Sequence, residues 1–127
     1  MAFTFNRVEL IGHVGKAPDV RINPAGEAMA RFSVATDRPA KPGAESETDW
    51  HQVVCFGRLG EFTGQHVGKG RLVFVAGRLS YWSYEGRDGE TRRRAEVVAT
   101  DVILLDWRPA NPADPGSPAF DDEDLRG

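Results

Sequence analysis

The sequence has one cysteine, Cys55, only three histidines, and no long run of apolar residues. A lone cysteine forms no internal disulfide, so a core must hold the fold, and a reducing cytoplasm is the expected setting. His13, His51 and His66 are scattered, with no Cys, His or carboxylate cluster at metal spacing, so no metal or other cofactor is expected. There is no phosphate-cradling glycine loop either; Gly12-His13-Val14-Gly15 lacks that form. With nothing marking a catalytic constellation, the chain is expected not to be an enzyme. The first dozen residues hold Arg7 and Glu9 and no apolar stretch of signal-peptide or membrane-span length, which predicts a soluble, unsecreted protein with no membrane partner.

Strong charge of one sign is also missing, since the net charge is -3. Its distribution is uneven. Residues 1–108 carry fifteen Lys and Arg against fourteen Asp and Glu, whereas residues 109–127 carry Arg126 against five acids. The acidity therefore belongs to a C-terminal stretch rich in proline, expected to be a disordered tail. A phosphate-binding surface in the first 108 residues is not ruled out by overall charge.

What is present are short β-branched or alternating runs separated by turn residues. Strands are expected near Asn6–Val14, Ala28–Thr36, Asp49–Phe56, Arg71–Leu79 and Arg93–Leu105, with turns at Asn23–Gly26, Pro39–Gly43 and a hairpin tip at Glu85–Gly89. Leu59, Phe62 and His66 fall at helical spacing, but the glycines around them allow one short helix at most. The fold class is all-β: a five-stranded OB-fold barrel in residues 1–108, with a short helix between strands three and four, followed by the acidic tail 109–127. This plan serves oligonucleotides and oligosaccharides alike, so function must come from residues.

In an extended strand alternate side chains share a face, which sets Trp50, Gln52, Val54 and Phe56 together and His51, Val53 and Cys55 opposite. Taken alone, Trp50 and Phe56 fit a core as well as a stacking surface. Tyr81, Trp82 and Tyr84 beside the hairpin tip, followed by Arg87, Arg92, Arg93 and Arg94, favour the second use, because unpaired bases take rings and phosphates take cations. Arg21, Arg31, Arg58, Lys69, Arg71 and Arg78 are further candidates for phosphate, although single surface charges are usually just solvated. The arginine triplet is expected to pair in part with Glu85, Glu90 and Glu96.

Several segments carry a more specific likeness: Asn6-Arg7-Val8-Glu9-Leu10-Ile11-Gly12, Pro18-Asp19-Val20-Arg21, Ala35-Thr36, Asp49-Trp50-His51-Gln52-Val53-Val54-Cys55-Phe56-Gly57, Lys69-Gly70 and Val75-Ala76-Gly77-Arg78-Leu79. In these the chain resembles the bacterial single-stranded DNA-binding proteins, SSB. The resemblance implies a protein that coats single-stranded DNA in replication, recombination and repair, cytoplasmic and nucleoid-associated. It implies that Trp50, Phe56 and Tyr84 stack on bases, and Trp82 lies beside them. An aromatic that the family carries after the second strand has no match in Asp37-Arg38-Pro39-Ala40-Lys41. His51 resembles a subunit-interface residue, which implies a homotetramer. The family's tail docks replication and repair enzymes through acids and a Pro-Phe terminus; here Phe120, Asp121, Asp122, Glu123, Asp124 and Leu125 are the candidates, but the chain closes Leu125-Arg126-Gly127. The alternative is an OB-fold protein-interaction module that binds nucleic acid weakly.

Overall fold

The computed structural model describes residues 3–106. The tail candidates Phe120, Asp121, Asp122, Glu123, Asp124 and Leu125 lie outside the described residues, as does the whole segment 109–127. Within them run β1 (Val8–Val14), β2 (Asp19–Ile22), β3 (Ala28–Arg38), β4 (Glu47–Phe56), α1 (Gly57–His66), β5 (Leu72–Glu85) and β6 (Thr91–Leu104).

Five of these strands close a barrel. β1 pairs with β5 over residues 8–13 and with β3 through His13 and Val14, while β4 lies antiparallel to β3 and parallel to β6. The order β1-β5-β6-β4-β3 thus returns to β1, and α1 connects β4 to β5. This is the expected OB plan, with the helix between the third and fourth barrel strands. The interior is filled mainly by valines, with Phe32 and Cys55 among them, as alternation of β-branched residues predicts.

β6 keeps its inward face through a bulge. Ala76 stands opposite Asp101 but Gly77 stands opposite Ala99, so Thr100 is the extra residue. Val97 and Ala99 point inward before it and Val102 after it. The Thr100 hydroxyl donates to the Ala76 carbonyl at 3.3 Å. A side chain at Gly77 would collide with the Val98 carbonyl oxygen, so only glycine fits opposite the bulge.

The sequence reading missed β2. It is four exposed residues bonded only to β3, joined to it by the Asn23–Gly26 turn in which Gly26 takes φ +82°. Too short to show a period and flanked by Pro18, it is held by tertiary contact. Val20 lies against Gly64 of α1, where a Cβ would meet the Val20 methyl at 2.5 Å. Gly60 similarly lets α1 approach the Ala28 and Cys55 carbonyls. The glycines that weaken the helix locally are what allow it to sit on the strands.

β5 also differs from expectation. It continues to Glu85, so Tyr81–Tyr84 belong to a strand rather than to a loop edge. Beyond Leu79 and Val97, which still touch the core, β5 and β6 project as a two-stranded arm.

Candidate nucleic-acid interface

Register decides which side chains share a surface, because residues directly opposite one another point to the same side of a sheet. From β3 across β4 and β6 to β5, Ser33 stands opposite Gln52, Arg31 opposite Val54, Val54 opposite Val98, and Val98 opposite Arg78. Stepping by two residues from this row places Trp50 and Phe56 of β4, Arg92 and Arg94 of β6, and Trp82 and Tyr84 of β5 on one outward face. Trp50 is 58% exposed, Trp82 42% and Phe56 38%, while Tyr84 is half-buried. The even balance between core and surface for Trp50 and Phe56 is thereby resolved toward the surface. Val54 lies on the same face but is buried, flanked by Arg31 and Val98.

Two depressions run along this face. One, of about 420 Å³, is lined by Lys16, Arg31, Ser33, Trp50 and Gln52 among others. The second, of about 160 Å³, is lined by Arg31, Gln52, Trp82, Arg94, Ala95 and Glu96. Sharing Arg31 and Gln52, they form one trough from Trp50 to Trp82. Gly15 makes room at the first end, since a Cβ there would collide with the Trp50 ring. At the other end the Trp82 and Tyr84 rings are tilted at 5.4 Å, and Arg94 donates to the Tyr84 hydroxyl at 3.2 Å with its guanidinium 5.4 Å from that ring.

The arginines divide. Arg31, Arg78, Arg92 and Arg94 lie on the face, Arg58 opens α1 two residues beyond Phe56, and Arg87 is at the hairpin tip. Arg21 pairs with Asp19 on β2 at 3.2 Å, and exposed Lys69 sits in the turn before β5. Arg93 projects to the reverse side of the arm, with its guanidinium 4.6 Å from the Tyr81 ring. Arg71 corrects the sequence expectation: 13% exposed, it donates to Asp106 at 2.9 Å and clamps the end of β6 to the start of β5. Its guanidinium is committed to the fold.

The ion pairing differs too. Arg92 pairs with Asp88 at 2.9 Å, and Glu96 faces Arg31 at 3.8 Å; among the described residues no ion pair joins the triplet to Glu85, Glu90 or Glu96. Asp88 is held below the ordinary carboxylate range by the Glu90 backbone N–H and then by Arg92. Where the family's extra aromatic has no counterpart, Arg38 bridges Glu47 and Asp49, each at 2.6 Å, and Asp49 is acidified by that bond. His51 lies on the opposite side of β4 from Trp50, half-buried, with Nε2 2.8 Å from the Thr36 hydroxyl. Burial pushes the Cys55 thiol up, and it donates to Thr63 at 3.4 Å. Among the described residues no cluster of three or more His, Cys, Asp or Glu could hold a metal ion. No helix there is long and apolar enough to cross a membrane.

Sequence reasoning overlooked Lys16, Ser33 and the carboxylate of Glu96 as parts of the trough. It also overlooked a second outward surface, where Ile11, Phe74 and Ile103 stand in one row across β1, β5 and β6. Ile11 is 59% and Ile103 51% exposed, and Leu105 beside them 43%. Apolar residues at the outward positions of all three strands were the available signal.

The model of the Single-strand binding protein family matches residues 5–105. The single-stranded DNA-binding protein of Xanthomonas campestris is 40% identical over 111 residues, 85% of this chain and 64% of that protein. That of Clostridium tetani is 38% identical over 116 residues, covering 91% of this chain and 79% of the relative. The chain thus spans less than two thirds of the length of the Xanthomonas relative. Among solved structures, the Plasmodium falciparum SSB complex with ssDNA superposes with a TM-score of 0.77 at 29% identity, over 84% of this chain and 99% of that one.

Proposed function

The chain belongs to the single-strand binding protein family, and on that premise we propose that it binds single-stranded DNA with little regard for sequence and catalyses nothing. The observation that carries this reading is the trough joining exposed Trp50 to Trp82 between Arg31 and Arg94. An exposed ring stacks on any base, because every base has a π-face, and the guanidiniums between the rings receive phosphates. Phe56 and Tyr84 extend the stacking surface along β4 and β5. Arg78, Arg92 and Arg94 supply charge beside them; Arg21, Arg58, Lys69 and Arg87 guide the strand from outside the trough. The biological role is to coat and protect single strands in replication, recombination and repair, in association with the nucleoid.

Assembly as a homotetramer is part of the same proposal. The row of Ile11, Phe74 and Ile103 is an apolar sheet face of the kind that a copy of the same surface covers. His51 is assigned to an interface by family likeness alone. Residues 109–127 are proposed to form a separate acidic tail, in which Phe120, Asp121, Asp122, Glu123, Asp124 and Leu125 are the candidate contacts for replication and repair enzymes.

Titration with oligo(dT) while following tryptophan fluorescence tests the central claim. Strong quenching that saturates with DNA is expected, from Trp50 and Trp82. Unchanged fluorescence with no binding would overturn it and favour the protein-interaction module.

A further inference from the structure

The arm formed by β5 and β6 has two exposed sides, and both carry a tyrosine with an arginine. Past Leu79 and Val97 no residue of the arm lies in the core. β1 pairs with β5 as far as Gly77, after which the Asn6 side chain bonds the Leu79 N–H and carbonyl at 2.9 and 2.7 Å. β4 pairs with β6 at Val97 and Val98, and among the described residues no strand pairs with the outer edge of β6 between Thr91 and Glu96. On the trough side are Tyr84 and Arg94, 5.4 Å from ring to guanidinium. On the reverse side are Tyr81, 54% exposed, and Arg93 at 4.6 Å. Alternation explains the division: three consecutive arginines on one strand must point to one side, the other, and the first again. If only the trough bound DNA, Arg93 would face the wrong way.

We propose that a single DNA strand leaving the trough crosses the free edge of β6 and continues on the reverse side of the arm, where Tyr81 stacks on a base and Arg93 holds a phosphate. This rests on the single-strand reading above and extends it to a second surface. The Arg92-Arg93-Arg94 edge offers a guanidinium to each side of the crossing, so phosphates meet positive charge throughout the turn. Arg93 is in no ion pair among the described residues, in contrast to Arg92, so its charge is not already neutralised by a carboxylate.

The test compares Tyr81→Ser and Arg93→Ser with wild type on two oligo(dT) lengths: the shortest that saturates the tryptophan quench, and one several times longer. For the short oligonucleotide, affinity is expected to stay within about twofold of wild type. For the long one, each substitution is expected to weaken binding about tenfold and to reduce the nucleotides bound per protein. Arg93→Ser should also make the salt slope for the long oligonucleotide shallower by about 0.7, one phosphate contact on a single strand. Wild-type affinity, site size and salt slope in both variants would overturn the proposal. So would equal loss on both lengths, which would put the pair on the trough path, or an altered mass by light scattering with unchanged affinity, which would make this side a contact between copies. If wild type bound neither oligonucleotide, the underlying reading would fall and this one with it; failure of the variants alone leaves that reading standing.

Discussion

Two outward surfaces of the same barrel expose large apolar side chains, and they are chemically unlike. The face running from β3 to β5 has rings, Trp50 and Trp82, set among Arg31, Gln52 and Arg94. The face over β1, β5 and β6 has an aliphatic and phenyl row, Ile11, Phe74 and Ile103, with no cation in the row itself. Rings mixed with guanidiniums suit a ligand that is alternately flat and anionic. An aliphatic row suits a dry surface of its own kind, since only exclusion of water stabilises it. Exposure alone does not identify a partner; the polar groups between the apolar ones do.

The largest effect separates the two surfaces outright. Phe74→Asp puts a charge in the centre of the aliphatic row and is expected to break the proposed tetramer into dimers or into the 14.0 kDa monomer by light scattering. Quenching by a short oligonucleotide should persist. Retention of the wild-type mass would show that this face is not where copies meet.

Next comes Trp50→Ala, expected to weaken single-strand binding by about 1 to 3 kcal/mol while mass and melting temperature stay at wild-type values. Phe56→Ala and Trp82→Ala should fall in the same range, and Tyr84→Ala at its lower end because that ring is half-buried. Calorimetric titration with oligo(dT) checks all four; wild-type affinity in each would return the trough to being mere surface.

Arg71→Ala is the control that lies off both surfaces. Loss of its bonds to Asp106 should cost roughly 1 to 2 kcal/mol of stability in denaturant unfolding, since a charged hydrogen bond at this burial is lost. The salt slope of DNA binding should not change; a shallower slope would restore Arg71 to the phosphate track.

Smaller still is Glu96→Gln. Removing the carboxylate that faces Arg31 should tighten DNA binding by no more than about 1 kcal/mol and steepen its salt dependence, because the pair is partly exposed. Weaker binding would instead make Glu96 a support for Arg31.

The slightest effect is electrostatic and local. Asp88 has a lowered folded pKa, so its contribution to the hairpin tip is complete above its ordinary value of 3.8 and lost as pH falls through the lower folded value. An NMR titration should show that midpoint rise when DNA draws Arg92 away, because the Arg92 bond is one of the groups that lower it. An unmoved midpoint would place Arg92 outside the contact.

Much of this was legible in the amino acids. Alternation put Trp50 and Phe56 on one side of β4 and the core on the other, because a period of two is a property of any extended strand. Turn residues located the three connections at Asn23–Gly26, Pro39–Gly43 and Glu85–Gly89, and the run from Asp49 to Gly57 carried the family likeness. β2 was not legible, since four exposed residues beside a proline show no period and depend on Gly64 for their seat. Nor were the partners of the charged residues. Arg71 finds Asp106, and Arg31 finds Glu96, only when distant strands are brought together. The parallel pairing of β4 with β6 is the decisive case: no local pattern encodes it, yet it alone brings Trp50 and Trp82 to the same trough. Alternation along each strand set which residues share a side, whereas pairing decided the rest: the bulge at Thr100 opposite Gly77 resets the inward face of β6, and barrel closure chose which strands share a surface.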